Sequence, residues 1–205
     1  MEKRKKIALI VFVVIFALDI IFTGIFGIKT NLYYGDGQVI RFQISNTTFD
    51  INDIKSIAKE VFGDEYMVKK VEFFNDSALI KVKSASDEEL NELCTKLNEK
   101  YSCSLTTDNL SVNYEANVKI RTVVEPYVIP VGISIILILV YYAIRFKGSK
   151  EMAGYIKAIL GVGIIYYALF AICRVRFSEL TMPIAMSLYA LTTLIYTTKA
   201  EINAK

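Results

Sequence analysis

The chain of 205 residues contains no histidine. That removes Ser-His and Cys-His catalytic pairs, imidazole metal ligands and imidazole pH switches. Its three cysteines, Cys94, Cys103 and Cys173, show no CxxC spacing, which argues against zinc and thiol redox motifs. Cys94 fits the apolar face of a helix as a small core residue, a better account than a Cys94–Cys103 bridge. No glycine-rich phosphate loop occurs either. The sequence therefore predicts no enzyme chemistry, no cofactor and no metal site.

What is abundant is apolar residue, at 54 % against 22 % charged, with mean hydropathy +0.40. The formal charge of +3 hides a division. Residues 29–125 carry 12 Lys/Arg and 16 Asp/Glu, a net of −4, and the remainder carries 12 and 5, a net of +7. A basic, apolar frame thus brackets a mildly acidic segment of 97 residues. A nucleic-acid binder would carry its basic charge on the folded part, so that class is excluded, as is a plain cytosolic enzyme.

The frame reads as membrane. After the basic start, residues 7–28 run with one charge, Asp19. At 1.5 Å per residue they extend about 33 Å, enough for a hydrocarbon core of about 30 Å. A signal peptide would have a shorter apolar region and a small-residue cleavage site. Three further spans are predicted at residues 127–144, 158–173 and 182–198. Lys3, Arg4, Lys5 and Lys6 precede the first span, and Arg145, Lys147, Lys150 and Lys157 lie between the second and third. Lys199 and Lys205 follow the fourth. By the positive-inside rule both termini are cytoplasmic and residues 29–125 lie outside the cell membrane. Tyr141–Tyr142, Tyr155, Tyr166–Tyr167 and Tyr196 read as interfacial anchors or packing residues, and Arg174 and Arg176 as solvated anchors at a span end.

The outside segment alternates strand and helix patterns. Residues 38–44 place Ile40, Phe42 and Ile44 on one face of a half-buried strand. Asp50 caps a helix with Ile51, Ile54, Ile57, Ala58, Val61 and Phe62 on one face, and Gly63 suits a left-handed exit. Residues 68–74 and 78–83 are strands joined by a turn at Asn75-Asp76-Ser77. Ser86 and Glu89 form a capping box before a helix whose core face is Leu90, Leu93, Cys94, Leu97 and Tyr101. Val112, Tyr114, Ala116, Val118 and Ile120 alternate in a last strand. The order is that of the split βαβ, or ferredoxin-like, arrangement, in which the first and last strands are antiparallel neighbours. Asp36, between two glycines, is better explained by turn chemistry than by cation binding. Asn46-Thr47-Thr48 is a glycosylation sequon, meaningful only in a eukaryotic secretory setting.

The fold class predicted is an α+β membrane protein: residues 1–28 a basic tail and first span, 29–125 the extracytoplasmic domain, 126–205 a three-helix bundle and tail. This layout resembles the SecD/SecF protein-export family, SecF in particular. SecF-type chains carry Asp-Phe-x-Gly-Gly after the first span, where this chain has Tyr33-Tyr34-Gly35-Asp36-Gly37. The family's Val-Gly-Pro corresponds to Val124-Glu125-Pro126, and its Tyr-x-Ala-x-Arg-Phe to Tyr141-Tyr142-Ala143-Ile144-Arg145-Phe146. Ile184-Ala185 resembles the start of the family's fourth helix. The resemblance implies a component assisting protein export or membrane insertion, with a SecD-like subunit, the Sec channel and an exported polypeptide as partners. The family has six spans, and Gly161-Val162 and Thr197 stand where it carries a His-Asp pair and a relay aspartate. The resemblance therefore implies a shortened, divergent relative, without the family's proton relay.

Asp19 is the remaining proton-relay candidate. It lies 12 residues beyond Ile7, about 18 Å along the helix, near the bilayer midplane. Placing it there costs roughly 2.5–3.5 kcal/mol. Desolvation favours the neutral acid. Two readings stay open: a titrating site that couples bundle packing to a proton gradient, or a protonated acid bonded to Thr, Ser or Tyr of a neighbouring helix. Two other functions compete with the export reading. One is a four-span permease of the FtsX/MacB type driven by a cytoplasmic ATPase, which needs a docking helix within residues 145–157. The other is a membrane-anchored sensor or binding module, which needs a pocket in the outside domain.

Overall fold

A computed structural model describes residues 2–44, 49–70, 77–146 and 149–204. The chain divides into two compact units, one made of Met1–Thr30 with Ile120–Lys205 and the other of Asn31–Lys119.

The first unit is helical: α1 (Glu2–Phe26), α4 (Ile120–Phe146), α5 (Ser149–Ala171) and α6 (Thr181–Asn203). Among the described residues, α4 and the Lys150–Ala171 stretch of α5 are long and apolar enough to cross a membrane. The apolar part of α1, Ile10–Phe26, is shorter, and α6 falls short of that measure.

Helices α4 and α6 extend past the predicted spans at both ends, while α5 starts earlier than predicted and ends at Ala171, short of Cys173. Residues 145–157 are mostly helix, because α4 reaches Phe146 and α5 starts at Ser149. A single glycine inside a helix costs only about 1 kcal/mol, and the flanking residues favour helix. Gly154 also makes room, since a Cβ there would meet the Tyr196 hydroxyl. No separate docking helix lies between α4 and α5 among the described residues. Lys147 and Lys205 fall outside the described residues.

The second unit holds β1 (Gly37–Gln43), α2 (Ile51–Phe62), β2 (Tyr66–Lys70), β3 (Ser77–Val82), α3 (Asp87–Tyr101) and β4 (Ser111–Glu115). The four strands form one antiparallel sheet in the order β2-β3-β1-β4, so the first and last strands are neighbours. Ile40 sits opposite both Ile80 and Val112, and Val68 opposite Ile80. Asp50 caps α2, its Oδ1 accepting the Asn52 N–H at 2.8 Å. Ser86 and Glu89 cap α3 reciprocally. The apolar faces of the two helices bury Ile54, Ile57, Ala58, Leu90, Leu93, Cys94 and Leu97 in one core with Ile40, Phe42, Ile44, Val68, Ala78, Ile80 and Val82. Each buried Leu, Ile, Val or Phe side chain among them contributes about 1.5–3 kcal/mol by leaving water.

Four local expectations need correction. Strand β1 is half-buried as expected at Arg41 and Gln43, which are exposed, but Val39 on the same face is 1 % exposed. That face also carries Lys81, 2 % exposed, whose ammonium meets Glu115 at 3.0 Å. The stretch before β1 reaches the same face, with Lys69 lying over the Tyr33 ring at 3.7 Å. The last strand stops at Glu115; beyond it Val118 N–H bonds the Tyr34 carbonyl at 2.8 Å, and Ile120 already begins α4. Strand β2 starts at Tyr66, two residues early, and residues 71–76, with most of the expected turn, lie outside the described residues. Gly63 does take a positive φ of 74°, but its ψ of −146° is not that of a left-handed helix. The sequon Asn46-Thr47-Thr48 lies outside the described residues.

Candidate functional site in the helical unit

Among the described residues of α1 the covered ones are Phe12, Ile15, Asp19, Phe22 and Thr23, whose helical spacing forms one stripe. The stripe meets α5. Thr23 Oγ1 lies 2.8 Å from the Tyr167 hydroxyl. Just past the helices, Phe177 N–H donates to the Lys29 carbonyl at 2.7 Å. The Arg174 guanidinium donates to the Gly27 carbonyl at 2.5 Å and reaches that of Phe26 at 3.4 Å. The C-terminal ends of α1 and α5 are therefore fastened together, and the two helices run side by side in the same sense.

Asp19 lies on this stripe with 0 % exposure, and neither Oδ1 nor Oδ2 has a hydrogen-bond partner. A buried carboxyl without a donor is costly when neutral and untenable when charged. No Thr, Ser or Tyr hydroxyl bonds it in this structure. Thr23 and Tyr167, the hydroxyl pair where α1 meets α5, are bonded to each other.

Three residues take parts that their sequence positions did not announce. Arg174, with φ +56°, caps the unsatisfied carbonyls at the end of α1 from a partly exposed position. Tyr166 and Tyr167 face different helices, as neighbours about 100° apart on a helix must. Tyr166 donates to the Thr181 carbonyl at 2.7 Å, while Tyr167 meets Thr23.

A second polar seam follows α6. Tyr189, Thr193, Thr197 and Glu201 recur every four residues and share a face. The Tyr189 hydroxyl donates to Ser134 Oγ at 2.8 Å, and Thr193 and Thr197 pair with the Tyr155 and Tyr142 hydroxyls at 3.0 and 2.7 Å. Glu201 accepts two bonds from Arg145, at 3.1 and 3.0 Å, and one from Tyr141. Tyr142 and Tyr155 are fully buried, their ring centroids 5.4 Å apart, so they act as packing residues. This seam lets the threonine-rich α6 join an apolar bundle. A cavity of about 100 Å³ lies at its Tyr189 end, lined by Gly163 and Tyr166 on α5 and by Ala185, Tyr189 and Thr192 on α6.

Among the described residues, no group of three His, Cys, Asp or Glu is placed to hold a metal. The three cysteines are free, and burial pushes the Cys94 thiol up. Asp36 accepts from the Lys83 ammonium at 2.6 Å and the Tyr114 hydroxyl at 3.2 Å. The Lys83 hydrogen bond holds the Asp36 carboxyl below the usual carboxylate range. Burial, with Asp53 beside it, pushes the Tyr101 phenol up to about 12. These contacts tie the sheet and helices together and form no reactive cluster.

No protein-family model matches the chain, and no curated protein matches it. A solved structure described as the crystal structure of SecDF in super-membrane-facing form is similar to it. The likeness covers 91 % of this chain and 24 % of that one, at 17 % identity and a TM-score of 0.49. The chain thus spans about a quarter of the length of that protein.

Proposed function

We propose that this chain is a SecF-like integral membrane component that assists protein export or membrane insertion through the Sec translocon. The observation that carries the reading is the insertion of one α+β unit between the first and second helices of a helical unit built from both ends of the chain. The strand order β2-β3-β1-β4, with helices between the first and second and the third and fourth strands, supports a ferredoxin-like reading of that unit. The segment Tyr141–Phe146, the nearest match to a family motif, also lies at a structured junction. Tyr142 is buried and Arg145 pairs with Glu201.

In this reading all four long helices lie in the cell membrane, both termini are cytoplasmic and Asn31–Lys119 faces outside. That domain touches emerging chains, while the helices pack on a SecD-like or channel partner. Photocrosslinking from residues 31–119 in cells tests it. Recovery of a translocon component or an exported chain supports the proposal; recovery of neither, from a chain that crosslinks efficiently to itself or to lipid, refutes it.

A further inference from the structure

We infer that Asp19 and Tyr167 form a hydrogen-bond exchange site for one proton: Thr23 holds the Tyr167 hydroxyl while Asp19 is protonated, and the Asp19 carboxylate takes that hydroxyl when the proton leaves. The inference deepens the reading of Asp19 as a proton site. It rests on the membrane placement of the helical unit and is independent of any role in export.

The Asp19 carboxyl is fully covered and lacks a donor in the state described. It persists there only as the neutral acid, since ionisation demands a donor at once. The donor is one helical turn away. Thr23 stands four residues along the same stripe, about 6 Å up the axis, with the Tyr167 hydroxyl on it at 2.8 Å. A tyrosine carries its hydroxyl over that distance by side-chain rotation between staggered wells. Thr23 is not stranded by the move, because a threonine hydroxyl on a helix can donate to the carbonyl four residues back, here that of Asp19 itself. In the step the carboxyl O–H bond breaks, the proton passes to water, and Tyr167 keeps its own proton throughout.

The other titratable or charged groups on α5 do not compete. Tyr155 and Tyr166 bond toward α6. Lys157 lies ten residues before Tyr167, about 15 Å along the axis, and Lys150 and Glu151 lie farther still. Arg174, past the end of α5, is committed to the carbonyls of Phe26 and Gly27. On α1, the next charged residue before Asp19 is Lys6, 13 residues away.

The test is infrared difference spectroscopy of the full chain in lipid nanodiscs as pH is raised. The expected result is a protonated-carboxyl band at neutral pH that is absent from Asp19→Asn, with its alkaline loss accompanied by a change in a tyrosine band absent from Tyr167→Phe. A hydrogen bond to a charged group changes proton affinity by about tenfold or more. The band should therefore persist to higher pH in Tyr167→Phe by about one unit. It should vanish at lower pH in Thr23→Val, where the hydroxyl is free to turn. Absence of the band from the parent chain, or its loss at one common pH in the parent and both variants, overturns the exchange. Vesicle flotation separates the two readings: a chain that floats with lipid but fails the spectroscopic test refutes the exchange alone. A chain that does not float refutes the membrane placement and the exchange with it.

Discussion

Replacing Asp19 by leucine should make the helical unit more stable. The carboxyl is fully covered, and neither oxygen has a partner. A buried polar group in that position costs about 1–3 kcal/mol relative to one that is satisfied. Leucine sets two methyl groups where aspartate sets two oxygens, so the branching is kept. The methyls also gain dispersion contacts with the apolar stripe formed by Phe12, Ile15 and Phe22. The expected gain for Asp19→Leu is about 1–3 kcal/mol. Asp19→Asn exchanges one neutral, unpartnered polar group for another and should stay within about 0.5 kcal/mol of the parent. The assay is equilibrium unfolding of the full chain in mixed micelles, followed by the helical signal. A loss of 1 kcal/mol or more in Asp19→Leu would mean that the carboxyl is hydrogen-bonded in the folded protein, and the reasoning would fail. A stabilised variant that also loses activity in cells would show that the acid is kept at a cost to stability.

Three further outcomes follow from the α+β unit. Because Lys83 holds the Asp36 carboxyl below its ordinary value of 3.8, the stabilisation is complete above that value and drains away as pH falls through the lower folded one. Asp36→Asn should flatten that acid limb in urea titrations run between about pH 2 and pH 6. Leu93→Ala removes a side chain with 0 % exposure from the core and should cost about 2–5 kcal/mol in chemical denaturation. Ser86→Ala removes the acceptor of the Glu89 N–H at 3.3 Å and should cost about 1 kcal/mol, read as a lower unfolding midpoint without a changed slope.

Local signals carried far where backbone chemistry dominates. The Asp50 cap, the Ser86–Glu89 box and the helical stripes of α2 and α3 were legible because each rests on residues within a turn of one another. Patterns failed where a distant partner decides the outcome. Val39 alternates as a solvent-facing residue, yet it is 1 % exposed beside the buried Lys81 of the neighbouring strand, while Arg41 and Gln43 on that face stay exposed. The alternation from Val112 to Ile120 looks like one strand, but β4 ends at Glu115, residues 116–119 form a connection, and Ile120 begins α4. In the helical unit Asp19 was conspicuous as one acid in an apolar run. Its lack of a partner, with the Thr23 and Tyr167 hydroxyls bonded to each other, belongs to packing between residues 144 apart in sequence.

Gly37 joins the sequence argument to a physical one. It ends the Tyr33–Gly37 stretch compared with the SecF-type Asp-Phe-x-Gly-Gly, and its φ lies outside the positive region. Its need is spatial. A Cβ on Gly37 would stand 2.4 Å from the Val82 carbonyl oxygen, a backbone atom with no rotamer to yield. Gln38 pairs with Val82 in the β1–β3 ladder, so relief requires the two strands to separate where that ladder begins. The strain would also pull on Asp36 and Lys83, which bridge the same strand ends. Overpacking of this kind costs about 1–3 kcal/mol, and the loss for Gly37→Ala should fall in the upper half of that range because backbone has to move. Gly132→Ala is the internal comparison: nothing lies within 4 Å of its Cβ position on α4, so alanine there should be neutral or slightly favourable. Side-by-side unfolding of the two variants in one lipid mixture decides the matter. If Gly37→Ala unfolds with the parent, the glycine is not required by strand crowding, and the match to the family stretch at that position has no physical content.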